Sequence, residues 1–219
     1  MTPMMMQGED WKRGFQGDLY ASAGVPVTVL RRIWEAAAEE ARSEPADERK
    51  ATLAHGAAAA IGLFVGPAAD PRPIQELHAM TGEPAPRELR ALLAIAERDT
   101  ALARRTLAEP DSATRKYEWG SWRPLYAQAQ FLVGDYNGTI ETLRTFEPTN
   151  FTTRGFDSRW GMLGRVRLLR GAAYEKLGRR AEAEREYADA LAQWEDADPE
   201  LGVFVRQAQA GLARVRGQG

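Results

Sequence analysis

One stretch constrains this chain more than any other: Gly171-Ala-Ala-Tyr-Glu-Lys-Leu-Gly178, followed by Ala183, Tyr187 and Ala190. Gly171 and Ala183 are small enough to let two helix backbones touch, an aromatic fills the space beside them, and Leu177-Gly178 ends the first helix. The segment therefore predicts a helix-turn-helix hairpin built for stacking. A lone hairpin cannot bury its apolar faces, so it needs neighbours of its own kind.

The rest of the chain suits such neighbours. Ala, Leu, Arg and Glu, all strong helix formers, dominate its ordered part, while β-branched residues are sparse. An all-α protein is expected, and 219 residues suffice for one elongated domain or two small ones. Residues 1–25 hold Gly8, Gly14, Gly17 and Gly24 without a sustained apolar period and read as a flexible lead-in. Helices are expected over 26–42, where Val29, Leu30, Ile33, Trp34 and Ala37 form one stripe, and over 46–65 and 74–80. Further helices are expected over 87–97, 100–109, 122–133 with Ser121 as N-cap, 137–146, 159–177, 181–194 and 199–216. Residues 147–158 lack helical periodicity and read as a loop.

The turns between paired helices align. Gly66, Arg98, Gly134 and Gly178 take equivalent places, and subtracting their numbers gives separations of 32, 36 and 44. A spacing near 34 is that of the tetratricopeptide repeat, and the longest gap fits if loop 147–158 inserts about ten extra residues. The residues follow suit. Gly171, Tyr174, Leu177, Gly178, Ala183, Tyr187 and Ala190 match that family's signature positions in the last unit. Ala127, Gly134, Asp135, Tyr136, Ile140 and Leu143 match it in the unit before, with Thr139 where a small Ala is usual. An earlier unit keeps Asp99, Ala103 and Leu107 but has Arg98 in place of the turn glycine, so a different turn is expected there. The chain thus resembles tetratricopeptide-repeat (TPR) proteins over 83–219, with degenerate repeats over 26–82. From Glu175 to Pro199 it is also similar to repeat regions attached C-terminally to bacterial signalling proteins, including serine/threonine kinases. It carries no Gly-rich loop, His-Arg-Asp or Asp-Phe-Gly of a kinase.

The resemblance implies a right-handed superhelix of antiparallel hairpins, with a capping helix at 199–216 and a groove lined by the first helix of each unit. The family's groove positions fall on Ser121, Gln128 and Phe131, and then on Arg165, Leu168 and Ala172. The Lys and Asn set that clamps a C-terminal carboxylate in some members is not reproduced, so chaperone-tail binding is not expected. Arg154, Arg159, Arg165, Arg167 and Arg170 crowd the loop and the helix after it, with Phe151, Phe156 and Trp160 among them. Forked guanidinium groups suit carboxylate or phosphate, and aromatics beside them suit an interface. A helix face paired with its own carboxylates, and a loop pinned by its own aromatics, would look the same in sequence. The expected partner is a protein or peptide, acidic in character, and the expected role a non-catalytic scaffold or docking module. One alternative is a sensor that holds a small anion at the arginine-rich loop and reports it to an attached effector, and another is an all-α enzyme of a kind the sequence does not reveal.

Other chemistry finds little support. No cysteine is present, and His55 and His78 lack the spacing of a zinc helix, so neither metal nor cofactor is expected. Glu39-Glu40 and Asp196 with Asp198 diverge on a helix and cannot share a substrate, and Asp198 reads as an N-cap before Pro199. Gly155 to Gly161 has no preceding strand and no Lys-Ser/Thr, so it is not a phosphate loop. Trp34, Trp122, Trp160 and Trp194 read as core or interunit fillers. A net charge of −2 gives no global attraction to nucleic acid. The apolar run from Ala57 to Gly66 is about half of the roughly 20 residues that a membrane span needs. The first residues, Met1-Thr-Pro-Met-Met-Met6, lack the pattern of a cleaved signal, and a cytoplasmic location is expected.

Overall fold

A computed structural model describes residues 87–109, 122–150, 159–196 and 201–217. The expected lead-in, the helices before residue 83, the turn at Gly66, both histidines and loop residues 151–158 lie outside the described residues. Within them the protein is all-α, with no strand. Its helices are α1 (Arg87–Ala96), α2 (Thr100–Leu107), α3 (Trp122–Leu132), α4 (Tyr136–Leu143), α5 (Arg159–Lys176), α6 (Arg180–Gln193) and α7 (Gly202–Gly217). A short 3-10 helix, Pro148–Asn150, follows α4 inside the stretch expected to be loop. The Asn150 side chain fastens it by donating to the Thr145 carbonyl at 2.9 Å.

Three turns, between α1 and α2, α3 and α4, and α5 and α6, are built alike from main-chain groups. Arg98, Gly134 and Gly178 each take a left-handed conformation, with φ of 65°, 86° and 71°. The amide after each donates back to a carbonyl of the preceding helix: Asp99 to Ala94 at 2.8 Å, Asp135 to Gln130 at 2.9 Å, Arg179 to Tyr174 at 2.9 Å. This is the bond that closes a helix when its next residue turns left-handed. The expectation of a different turn at Arg98 is therefore corrected. An arginine holds the conformation that glycine holds in the other two. Asp99 and Asp135 then cap the following helices, accepting from the amides of Leu102 at 2.8 Å and Gly138 at 2.9 Å, whereas Arg179 makes no such bond.

Around these turns the same offsets are buried. Ala91, Ala127 and Gly171 lie before the turn, and Ala103, Thr139 and Ala183 after it, with no exposed large group among them. Thr139 fits at an alanine's place because its hydroxyl donates within α4 to the Asp135 carbonyl at 2.8 Å and lies 3.3 Å from the Ala127 carbonyl across the hairpin. Further on, Leu107 and Leu143 give way to the larger Tyr187, and the helix opposite gives way too. A Cβ on Gly171 would stand 3.0 Å from the Tyr187 ring.

The hairpins pack in chain order. α3 touches α1, α2, α4 and α5, while α5 touches α4, α6 and α7 in addition to α3. One apolar core joins α1 to α4 with the start of α5, through Leu92, Leu125, Leu143, Met162 and Val166. A second, built on Leu168, Tyr187, Trp194, Phe204 and Ala208, joins α5 and α6 to α7. The apolar stripe expected of the last helix lies in this core, with Phe204, Ala208 and Val215 buried and Leu201, Val205 and Leu212 partly so. The helix begins at Gly202, later than the expected 199. Gly211 is what lets it close down, because a Cβ there would collide with the Tyr187 ring.

Candidate functional site

α3 and α5, the first helices of successive hairpins, lie side by side because both turns return the chain to the same side. Between them is a cavity of about 150 Å³, lined by Pro124, Gln128, Phe131 and Leu132 from α3 and by Met162, Arg165, Val166 and Leu169 from α5. Of the expected groove residues, Gln128, Phe131 and Arg165 are brought together here. Phe131 is steadied by an edge-on contact with Tyr136 at 5.3 Å between ring centres. Leu132 is 43% exposed, so the apolar lining reaches solvent.

Leu168 is placed elsewhere. It is buried in the core with Trp194 and Phe204, on the side of α5 that faces α7. Ser121 and Arg154 lie outside the described residues. Arg159 and Trp160 open α5, and their side chains lie outside the described set.

The arginines of α5 divide between two faces. Arg165 turns toward the cavity, its guanidinium 3.9 Å from the centre of the Phe204 ring. Burial lowers its pKa to about 10, which leaves it charged at neutral pH. Phe204 in turn stacks on Trp194, ring centres 6.3 Å apart, and the Trp194 indole presses on Gly164, where a Cβ would stand 2.5 Å away. Sequence reasoning missed this support. Its one legible trace is Gly164 inside a helix, which weakens the helix unless something approaches closely.

Arg167 and Arg170 turn the other way, into a carboxylate cluster. Arg170 donates to Glu147 at 2.5 Å and pairs with Glu186 at 2.8 Å, while Arg167 pairs with Asp189 and lies 3.9 Å from both Glu147 and Glu186. Burial pushes the Glu186 carboxyl up against the pull of Arg170 and Arg167. For Arg170, burial opposes the charge, but Glu186 and Glu147 outweigh it and hold the guanidinium charged. For these two arginines the reading of a helix face paired with its own carboxylates is the one realised. The cluster ties the end of α4 to α5 and α6.

A larger hollow, about 460 Å³, lies between the first two hairpins beside Arg104, Leu107, Tyr126, Gln130, Val133 and Asp135. Its polar groups are occupied in holding those hairpins together. Arg104 donates to the Val133 carbonyl at 2.8 Å and Tyr126 to the Leu107 carbonyl at 2.9 Å, while within the second hairpin Gln130 accepts from Thr142 at 2.7 Å. The smaller cavity, with an apolar wall and a charged group at its edge, is the better candidate site. Among the described residues, no three His, Cys, Asp or Glu side chains are grouped to hold a metal ion, and no helix is long and apolar enough to cross a membrane. Comparison with protein-family models, curated proteins and solved structures gave no match.

Proposed function

We propose that this protein is a non-catalytic peptide- or protein-binding module whose hairpins stack as TPR-like repeats into a right-handed superhelix. The cavity between α3 and α5 carries the reading: an apolar lining that reaches solvent, edged by Gln128 and Arg165, at the place where first helices of such repeats form a groove. The three like turns, with small buried residues at fixed offsets, support the repeat architecture. The similarity to repeat regions of bacterial signalling proteins makes a cytoplasmic docking role in a signalling assembly the natural setting. A small-anion sensor is less well supported, because Arg167 and Arg170 already face carboxylates.

Random peptides displayed on phage and selected on the full chain test the reading. Leu132 and Leu102 are comparably exposed, at 43% and 40%, but only Leu132 lines the cavity. Leu132→Glu is expected to weaken selected binders roughly tenfold or more while Leu102→Glu leaves them unchanged. Both variants should melt with the parent. Binders indifferent to Leu132→Glu would remove the groove from the proposal.

A further inference from the structure

The cavity between α3 and α5 is more than an apolar groove. Walls of Phe131, Leu132, Met162 and Leu169 are interrupted by the polar Gln128 and the cationic Arg165. The Phe204 ring, 3.9 Å from the guanidinium carbon, fixes where that cation lies relative to the apolar wall. Arg167 and Arg170 do not share this face, since Glu147, Glu186 and Asp189 hold them on another. Among the described residues, Arg165 is the cation that lines this cavity. Burial, which lowers Arg165 to about 10, also strips water that would screen it, so a carboxylate is distinguished there from a neutral group of the same shape. The volume, about 150 Å³, suits one side chain, since cavities of that size hold a single benzene ring.

We propose that the cavity recognises a peptide segment in which a Leu-, Met- or Phe-sized side chain is flanked by Asp or Glu, the apolar group entering the cavity and the carboxylate meeting Arg165. This rests on the peptide-binding reading and adds the chemistry of the peptide. The apolar group supplies contact area, and the acidic neighbour sets which segments are accepted.

Fluorescence anisotropy on the full chain tests this with short labelled peptides of Gly, Ser and Gln that carry one Leu and one Glu at varied separation. Each is compared with counterparts in which Glu is replaced by Gln, or Leu by Ala. At the best separation, replacing Glu is expected to weaken binding roughly tenfold at low ionic strength. That preference should shrink as salt is added. Arg165→Met should abolish the Glu-over-Gln preference while the need for Leu persists, and Arg165→Lys should retain part of it. The preference is a ratio measured on one protein sample, so partial unfolding of a variant cannot imitate its loss. Leu-dependent binding with no Glu-over-Gln preference, or a preference that Arg165→Met leaves intact, overturns the proposal and leaves peptide binding standing. Failure of every Leu-bearing peptide, acidic or neutral, overturns both.

Discussion

Arg98, Gly134 and Gly178 do the same work with different side chains, and the difference has a measurable sign. Left-handed backbone costs an L side chain about 1 to 2 kcal/mol and glycine almost nothing. Arg98→Gly should therefore raise stability by about 1 kcal/mol, moving the urea midpoint upward without changing the slope. Gly178→Ala should lower it by about 1 kcal/mol. An added Cβ at Gly178 meets nothing within 4 Å, so that loss would come from the backbone alone. Shifts of the same sign would mean that the turns are not equivalent. The place of Arg98 is legible in the sequence because Asp99, Ala103 and Leu107 keep register around it, although its own chemistry argues against the turn. Gly164 and Gly211 are the reverse case. Each signals that something comes close, but that the visitors are Trp194 and Tyr187 depends on packing between distant segments.

Between elements, α7 is held by a shared carboxylate. Glu175 accepts from the Arg214 side chain at 2.7 Å and from the Tyr187 hydroxyl at 2.6 Å. The guanidinium first, and then the hydroxyl, hold the Glu175 carboxyl below its ordinary value of 4.5. Its contribution is thus present above that value and lost as pH falls through the folded-state pKa. Arg214 is half exposed, so screening limits the pair, and Glu175→Gln should cost about 1 kcal/mol at neutral pH. Melting curves of parent and variant should converge in acid well below pH 4.5. A gap that stays constant with pH would assign the effect to shape instead of charge.

The Arg170 cluster makes a different demand. Arg170→Met leaves Glu186 buried without its main partner and should cost about 3 to 5 kcal/mol, whereas adding Glu186→Leu should recover much of the loss. Denaturant titrations of the single and double variants decide this. The boundaries of α5 are legible to within a residue, and at its C-terminal end Leu177-Gly178 marks the turn. The allocation of its faces is not. Met162, Leu163, Val166, Leu168 and Leu169 spread around the helix because α5 is covered by α3, α4, α6 and α7 together. An apolar period cannot then say that Arg165 meets the cavity while Leu168 enters the core.

At the scale of the whole fold, contacts among the described residues run from each hairpin to the next, and α7 covers the hairpin of α5 and α6. Removing residues 197–219 would bare Leu168, Tyr187 and Trp194. The shortened chain should unfold at lower temperature and self-associate in sedimentation, while a monomer that melts like the full chain would deny α7 its covering role. The stacking order was legible without any relative for comparison, because spacing alone reports that turns repeat. What remained illegible is whatever depends on two hairpins meeting, above all which carboxylates face which arginines. The stacking of Arg165 on Phe204 also imposes a sequence in time. Arg165 leaves the ribosome well before the ring that positions it, so a chain made only as far as α5 already has both apolar walls of its cavity but not its charged edge in place. Selectivity for acidic segments, on the proposed reading, therefore follows the apolar groove in synthesis and waits for Phe204.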